Sequence, residues 1–276
     1  MWTSPIWTRS GRWATSSSSF AGGSAAGDFA RRPVCCGERA GWRSGPDTGA
    51  FPSERSRTFT QKRRISAVKI DLRKELKHLY APSAKVVELV DVPNLHFVMI
   101  DGAIRPGETP ETSQGFQDAI GALYGVSYTL KFMSKLRKTN PIDYTVMALE
   151  GLWWTDSGEF DWSKQQEWKW TMMILQPDHI TAEMFHEALQ QLKKKRDTPA
   201  LSRLRFEDFR EGLCVQTMHL GPYSEEPQTI ERMMAFAREN GLRFCGKHHE
   251  IYLGDPRRAK PEKLRTVLRH PVERVG

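Results

Sequence analysis

The sequence predicts an α+β fold built from two fused modules, each with the order strand, helix, strand, strand. Three observations predict this architecture: two apolar extended runs that each end in glycine, a helical apolar pattern after each run, and two strand patterns after each helix. This order occurs over residues 95–175 and again over residues 212–272. Two such modules in a pseudo-twofold arrangement would join their sheets and leave a ligand cleft between them, because interfaces between repeated units are frequent binding sites.

The first module begins with the apolar run LHFVMIDG, which predicts a strand over residues 95–102. A loop rich in Pro, Glu and Thr follows, and then apolar residues at helical spacing predict a helix over residues 113–136. Residues 144–151 (YTVMALEG) and 169–175 (KWTMMIL) are short apolar runs, which is typical of buried strands. These four elements supply the first strand, helix, strand, strand set.

The second module repeats this order after a connecting segment. It is predicted to contain a strand over residues 212–221, a helix over residues 227–240, and strands over residues 248–254 and 264–272. Gly241 is a stop signal for the helix, because glycine readily adopts the left-handed conformation found after helix ends. The connecting segment has its own amphipathic helix, predicted over residues 181–195.

Charge is distributed unevenly, and this divides the chain into two parts. Residues 1–65 hold eleven Lys and Arg against four Asp and Glu, so they carry +7 of the formal net charge of +8 and leave +1 for residues 66–276. The first part is rich in Ser, Arg and Gly and has no apolar period, which predicts a disordered basic tail. The folded second part is nearly neutral, so we expect no nucleic-acid partner.

The tail admits two interpretations. Its Arg- and Ser-rich, acid-poor composition is typical of an organelle transit peptide, whereas its Trp, Pro and Gly content makes a poor amphipathic helix and favours an extension without a role. No apolar run approaches 18 residues, so we expect no membrane partner. The four cysteines include no CxxC pair, which favours a reducing, cytoplasmic setting. The sequence leaves a homodimer open.

The strand EIYLG contains the candidate catalytic residues. Its alternation directs Glu250 and Tyr252 to one face and Ile251 and Leu253 to the other, so if the apolar pair faces the helices, the polar pair faces the cleft. A carboxylate among aromatic side chains is suited to proton transfer, whereas alternation alone leaves a solvated glutamate on an open sheet face equally open. Glu150 has the opposite parity in the matching strand and ranks behind Glu250 unless a bulge reverses it.

Aromatic and apolar side chains near these strands predict the walls of a cleft for a planar, apolar ligand. Trp153, Trp154 and Trp168 belong to a segment with five tryptophans in eighteen residues, and indoles provide flat stacking surfaces. Two or three of the five could equally be core or dimer contacts. The remaining candidate contacts to the ligand are Tyr124, Tyr128, Phe132, Met133, Met147, Leu149, Glu150, His219 and Tyr223.

The histidines of the chain do not predict a metal site. His248 and His249 precede Glu250, but alternation places only one of them on the Glu250 face, and no third ligand has matching spacing. The pair His186-Glu187 lacks the second histidine of an HExxH motif. There is also no glycine-rich phosphate loop and no nucleophile elbow, so we expect neither a metal ion nor a cofactor.

Three segments together resemble the GyrI-like small-molecule-binding superfamily: 144–154 (YTVMALEGLWW), 212–227 (GLCVQTMHLGPYSEEP) and 248–272 (HHEIYLGDPRRAKPEKLRTVLRHPV). The combination looks like the stand-alone branch that includes cyclopropanoid cyclopropyl hydrolases. The resemblance implies two fused modules with a ligand cleft between them, and an acidic residue at the position of Glu250. It also implies that Glu250 and Tyr252 are the candidates for chemistry. No helix-turn-helix precedes the domain, so the regulator form is not expected.

Two hypotheses from different functional classes follow. In the first, the protein is a hydrolase that adds water to the strained cyclopropane of a planar DNA-alkylating compound, with Glu250 as general base and Tyr252 orienting the water or stabilising the oxyanion. In the second, the protein binds and sequesters flat aromatic or cationic drugs without reacting, and Glu250 is only a counter-charge. Turnover, and not affinity, separates the two.

Removal of residues 1–65 is expected to leave the melting temperature nearly unchanged, because a segment without an apolar period cannot contribute to a core. Thermal unfolding of the full-length and shortened chains measures this. A fall of more than about 4 °C, equivalent to roughly 1 kcal/mol for a domain of this size, would show that the tail contributes to the fold.

Overall fold

The computed structural model divides the chain into two units, Met1–Arg64 and Ile65–Gly276. It describes residues 66–276, apart from residues 158, 159, 162, 163, 165, 166 and 257. In the first unit it describes two short strands, β1 (Ile6–Trp7) and β2 (Trp13–Ala14), which pair antiparallel. The predicted disorder of residues 1–65 otherwise lies outside the described residues, as does the tryptophan at position 162.

The first half of the second unit contains eight elements. In chain order they are β3 (Val68–Ile70), α1 (Leu72–Glu75), α2 (Lys77–Tyr80), β4 (Glu88–Ala103), α3 (Gln114–Lys135), β5 (Ile142–Tyr144), β6 (Leu149–Trp154) and β7 (Lys169–Gln176). Of these, β4, α3, β6 and β7 form the first module in the predicted order. The short strands β3 and β5 pair in parallel as a separate two-stranded sheet.

The second half repeats the module. Its elements are α4 (Ala182–Lys195), β8 (Arg205–Leu220), α5 (Glu226–Glu239), β9 (Leu242–Phe244), β10 (His248–Tyr252) and β11 (Arg265–Arg274), with short 3-10 turns at Pro199–Arg203, Tyr223–Glu225 and Pro261–Lys263. The second module consists of β8, α5, β10 and β11, so the predicted α+β fold of two strand-helix-strand-strand modules is confirmed. Among the described residues, no helix is both long and apolar enough to cross a membrane.

The ends of α4 and α5 lie where local chemistry favours them. The Thr181 hydroxyl accepts a hydrogen bond from the Met184 backbone N–H at 3.3 Å, which satisfies one of the free N–H groups at the start of α4. Pro227 lies in the first turn of α5, where a missing N–H has no cost. Gly241 follows α5 with a φ of +67°, so the predicted stop signal is the observed one.

Two kinds of strand boundary differ from prediction. The apolar run 144–151 is not one strand: Tyr144 ends β5, and β6 begins only at Leu149, so Met147 lies between strands, buried in the core. Apolar composition alone does not distinguish a buried connection from a buried strand. Strands β4 and β8 each begin seven residues before the predicted start, because they pair with each other over nearly their whole lengths.

The long strands form one curled antiparallel sheet in the order β10-β6-β7-β4-β8-β11-β9, and β10 pairs with β11 as well as with β6. The sheet therefore closes on itself. One face, called here the helix face, packs on α3 through Phe116 and Trp153 and on α5 through Met233 and Leu268. The other face, called the opposite face, contributes Ile251 and other apolar residues to the main core.

A series of buried polar side chains, called here the buried ionic chain, runs along the opposite face. The Tyr80 hydroxyl donates to Glu150 at 2.6 Å. The ring of His249 lies between two carboxylates, with Nε2 3.1 Å from Glu150 and Nδ1 3.0 Å from Glu211. Arg269 completes the chain, since its Nη1 donates to Glu211 at 3.3 Å. All five side chains are almost fully buried.

The charges in the buried ionic chain compensate one another. Burial alone would raise the pKa of Glu211, but the charges of His249 and Arg269 lower it to about 2. Burial alone would lower the pKa of His249, but Glu211 and Glu150 raise it. Burial, together with the charge of Glu150, raises the pKa of Tyr80 well above its ordinary value. The buried ionic chain is therefore an array of cations and anions with a neutral phenol, Tyr80, at its end.

The position of Glu211 depends on a break in the alternation of β8. Strict alternation from Gln216, whose amide contacts the backbone of α2, would direct Glu211 to the helix face. Gly212 has a φ of +76°, a conformation that side chains other than glycine rarely adopt. This residue interrupts the alternation, and Glu211 turns instead to the opposite face beside His249 and Arg269.

Replacement of Arg269 by methionine is expected to lower the free energy of unfolding by about 3–5 kcal/mol, because Glu211 would stay buried while losing a charged partner. Chemical denaturation of the full chain measures this. The matched control is Arg274→Met at the exposed end of the same strand, where the change should stay within about 0.5 kcal/mol. Similar losses in both variants would mean that the buried charge of Arg269 has no special role.

Candidate functional site

Glu250 and Tyr252 lie on the same face of β10, as their alternation predicts. The face is not the expected one, because Ile251 points away from α3 and α5, and the two polar residues lie on the helix face. Their position between α3 and α5 still leaves them at the junction of the two modules. Glu250 is only 6% exposed, so its carboxylate is nearly withdrawn from water.

Strand β6 of the first module borders this pair. Glu250 pairs with Gly151 and Tyr252 pairs with Leu149, so the first module contributes a glycine and an apolar side chain at these positions. Trp153 follows on the same face, and its indole Nε1 donates a hydrogen bond to the Tyr252 hydroxyl at 3.0 Å. The structure therefore brings together four of the predicted site residues, Glu250, Tyr252, Leu149 and Trp153, across the junction of the modules.

The hydroxyl of Tyr252 lies between a donor and an acceptor. Burial, the charge of Glu250 and a hydrogen bond with that carboxylate raise the pKa of Tyr252 well above its ordinary value. The phenol therefore stays neutral and can donate to Glu250 while it accepts from Trp153. On the other side, His248 Nε2 lies 3.5 Å from Glu250 Oε1, but this atom does not meet hydrogen-bond geometry.

Aromatic rings cover the space beside Glu250. The ring of Phe160 stacks on His248 with centroids 4.5 Å apart, and the ring of Trp168 lies 5.4 Å from that of Trp153. Phe160 and Trp168 also contact each other, at 5.5 Å. Such flat apolar walls are suited to a planar ligand, and Trp168 is a predicted contact that the structure places near the site.

A second buried glutamate was missed from the sequence. Glu226, the first residue of α5, is fully buried, and its carboxylate interacts with that of Glu250. Tyr223, a predicted contact, lies in the preceding turn with its ring 5.9 Å from that of Tyr252. Burial, and then the charge of Glu250, raise the pKa of Tyr223. Glu226 is one of two adjacent glutamates in the loop GPYSEEP, which also contains Tyr223. This loop was the sequence feature from which Glu226 could have been predicted as a site residue.

His219 supports the same loop. Its Nδ1 lies 2.9 Å from the Thr229 hydroxyl of α5, and its Nε2 lies 3.2 Å from the Pro222 carbonyl oxygen. Since both ring nitrogens are engaged, His219 fixes the start of α5 relative to β8. The structure thus places this predicted contact at the edge of the site as a support for Tyr223 and Glu226.

Other predicted contacts lie apart from Glu250. Glu150 points to the opposite face, where it belongs to the buried ionic chain. Trp154 has the opposite parity to Trp153, and Lys247 Nζ lies 3.5 Å above its ring centroid. Met147 is a core residue at 2% exposure.

The predicted wall on α3 contains a tyrosine pair and two further side chains that differ in exposure. Tyr124 and Tyr128 contact each other with ring centroids 6.3 Å apart, and Tyr128 is 44% exposed. Phe132 is 39% exposed one turn further along, and Met133 packs against the core. The residue of α3 that does reach the site is Phe116, whose ring lies 5.7 Å from that of Trp153.

The site offers carboxylates, a phenol and a histidine, but no metal centre. Within the described ranges, no group of three or more His, Cys, Asp or Glu side chains is arranged to hold a metal ion. A surface hollow of about 460 Å³ lies beside Glu75 and Glu88, away from Glu250. Carboxyl, phenol and imidazole groups that lie side by side, as at this junction, are suited to proton transfer.

Residues 85–273 match the model of the GyrI-like small-molecule-binding domain, which is most of the folded unit. The chain belongs to the GyrI-like family. Among curated proteins, none matches this chain.

Solved structures from Listeria innocua are similar to this GyrI-like chain. One is a conserved protein described as uncharacterized, with 42% identity over 74% of this chain and 100% of that one, and a TM-score of 0.67. Two others are described as hydrolases, each with 40% identity over 74% of this chain and the whole of the other, and TM-scores of 0.64 and 0.65. The GyrI-like assignment agrees with the two-module fold and with a small-molecule ligand.

The packing around Gly151 predicts that Gly151→Ala lowers the free energy of unfolding by about 1–3 kcal/mol. A Cβ there would lie 2.6 Å from Met172 Cε, 2.9 Å from Trp153 Nε1 and 3.1 Å from the Tyr252 hydroxyl. Denaturation followed by tryptophan fluorescence measures the change. The control Gly121→Ala, in the exposed part of α3 with open space around it, should be stabilised by about 0.5–1 kcal/mol. Stabilisation of both variants would mean that the site accommodates an extra methyl group.

Proposed function

We propose that this GyrI-like protein hydrolyses planar cyclopropanoid compounds, in which a strained cyclopropane is conjugated to a dienone, and thereby detoxifies DNA-alkylating genotoxins. The observation that carries the proposal is the adjacent pair Glu250 and Tyr252, nearly buried among aromatic rings at the module junction. The relatives described as hydrolases support a hydrolytic reaction, and the family supports a small-molecule substrate.

Glu250 is the general base of the proposed reaction. A carboxylate with little access to bulk water can hold a single water molecule and accept its proton during attack. Tyr252 stays a neutral phenol, so it can donate to Glu250 or to that water and keep it in line. The indole N–H of Trp153 fixes the phenol from the other side, which limits the orientations of the attacking water.

The reaction balances as the addition of one water. The water oxygen forms a bond to the cyclopropane methylene carbon, and the bond between that carbon and the ring system breaks. The electron pair of the broken bond passes through the dienone to its carbonyl oxygen, which becomes a phenol. Glu250 takes one proton of the water, and the phenol oxygen receives one. The product is an alcohol without the electrophilic carbon that alkylates DNA.

The aromatic surroundings explain the choice of a planar substrate. Trp153, Trp168 and Phe160 form a connected set of rings beside the carboxylate. A planar ligand would replace the stacking contacts that these rings now make with one another and with His248, so no stacking would be lost when the ligand binds. Stacking is worth about 0.5–1.5 kcal/mol for each pair of rings beyond the buried area, which favours extended ring systems.

A second candidate function is sequestration without reaction. The domain to which the chain belongs is a small-molecule-binding domain, and the ion-pair partner of Glu250 in the described part of the chain is a histidine. A buried carboxylate partnered in this way could serve as the counter-charge for a cationic aromatic ligand. In that case, Glu250 would determine the affinity for cationic ligands, and every ligand would leave the site chemically unchanged.

Glu250→Gln is expected to reduce the turnover of a cyclopropyl-dienone alkylator by at least about 10²-fold, because the side chain keeps its shape and loses its basicity. Incubation of the full chain with the compound, followed by mass spectrometry, detects the gain of one water. Binding of the neutral compound should be nearly unchanged. The control Glu262→Gln, at an exposed position, should react like the unmodified protein.

The two candidate functions give different results. Catalytic gain of one water that is lost in Glu250→Gln supports the hydrolase. Tight binding without any change in mass, combined with a strong preference for cations that Glu250→Gln abolishes, supports sequestration. Turnover that Glu250→Gln leaves intact would remove Glu250 from the mechanism.

A further inference from the structure

Glu226 is a fully buried carboxyl group at the start of α5. It is 0% exposed, and neither of its carboxyl oxygens meets hydrogen-bond geometry with any group in the described part of the chain. Buried polar groups in proteins are nearly always paired, and an unpaired buried carboxylate carries a large desolvation cost. A group kept at such a cost calls for an explanation outside the stability of the fold.

The surroundings of Glu226 place it in the same site as Glu250. Thr266 of β11 is a polar neighbour that acts on Glu226, is 1% exposed, and likewise has a hydroxyl that is not at strict hydrogen-bond geometry with any described group. Thr266 is directly opposite Tyr252 in the sheet. Tyr252 is the next residue after Glu250 on the same face of β10. Glu226, Thr266, Tyr252 and Glu250 thus form a continuous polar strip.

The strip contains two carboxyl groups, and among the described residues no cation acts on Glu226. The groups that act on Glu226 are Glu250, which carries the same charge, and Thr266, whose hydroxyl opposes the effect of Glu250 by favouring the ionised form. Burial first, and then the charge of Glu250, raise the pKa of Glu226 well above its ordinary value. Glu226 is the more deeply buried of the two carboxyl groups, and both burial and a neighbouring like charge favour its neutral form.

We propose that Glu226 is the acid of this site, protonated in the resting protein, and that it donates its proton to the carbonyl oxygen of the bound substrate while Glu250 accepts one from the attacking water. This inference rests on the proposed function for the identity of the substrate, whereas the location of the proton is a property of the free protein. Glu226 and Glu250 then have complementary roles, since one carboxyl group is neutral and the other ionised.

The proton transfers balance within one turnover. Glu250 gains a proton from water as the new carbon–oxygen bond forms, and Glu226 loses its proton to the oxygen that receives the electron pair of the broken cyclopropane bond. The product leaves as an alcohol and a phenol. The site is then left with a protonated Glu250 and an ionised Glu226, and transfer of one proton from Glu250 to Glu226 restores the resting state without any other reactant.

Infrared spectroscopy of the full chain tests the location of the proton without any substrate. Exposed carboxyl groups are ionised at pH 7, so a protonated carboxyl band at that pH reports a strongly perturbed group. We expect this band in the unmodified protein and in the control Glu239→Gln, at an exposed position of the same helix, and its loss in Glu226→Gln. No band in the unmodified protein, or a band that Glu226→Gln retains, would overturn the proposal.

Turnover of the cyclopropyl-dienone alkylator tests the donor role. Glu226→Gln is expected to lower kcat by about 10²–10⁴-fold and to leave KM nearly unchanged, because an amide keeps the shape and lacks the acidic proton. Equal kcat in both proteins would overturn the role. An unmodified protein that does not turn over the compound would refute the proposed function, and the infrared band would then decide the status of Glu226 by itself.

A further comparison tests the proposal if Glu226→Gln does not fold. Near-ultraviolet circular dichroism shows whether Glu226→Gln keeps its tertiary packing. If it does not, the infrared spectrum of Glu250→Gln decides, because burial is the largest cause of the perturbation and does not depend on Glu250. A band that persists in Glu250→Gln supports Glu226 as the holder of the proton, and its loss would overturn the proposal.

Discussion

Hydrogen bonds along both edges of β10, to β6 on one side and to β11 on the other, determine where the candidate catalytic pair, Glu250 and Tyr252, lies. An edge strand could shift its register, but a strand paired on both edges cannot do so without breaking two ladders. The pairing also closes the sheet and joins the matching strands β6 and β10 of the two modules. Successive residues of β10 are thereby assigned to two enclosed environments, with His249 on the opposite face and Glu250 on the helix face.

His249 and Glu250 are neighbours in sequence, but their buried charges have different surroundings. His249 lies between two carboxylates in an array that Arg269 completes, so nearly every charge has a partner, as stability requires of ions withdrawn from water. Glu250 has a tyrosine, a histidine at poor geometry and a second carboxyl group around it. The first arrangement specifies the register of the closed sheet. The second is costly for folding and is therefore the better candidate for chemistry.

The sequence was sufficient for the repeat and for the pairing of Glu250 with Tyr252, because both depend on local period and alternation. It also separated Glu150 from Glu250 by parity. Local patterns could not reveal that β10 pairs with both β6 and β11, since closure depends on contacts about 100 residues apart in the chain. Nor could they show that the helices pack on the Glu250 face. For the same reason, Glu226 was not recognised, although its loop was, because its burial depends on how α5 docks against β11.

Unpaired buried polar atoms are concentrated on the helix face around Glu250. In the described part of the chain they include both carboxyl oxygens of Glu226, Nε2 of His248 and the hydroxyl of Thr266. A folded protein gains nothing from such atoms unless something else pairs with them, because each has given up its hydrogen bonds to water. A ligand with a carbonyl oxygen and an accompanying water would supply an acceptor for a protonated acid and a donor for a base. The aromatic rings beside them would bind the apolar remainder of that ligand, so the polar and apolar requirements of the site both favour a planar molecule with a polar reactive end.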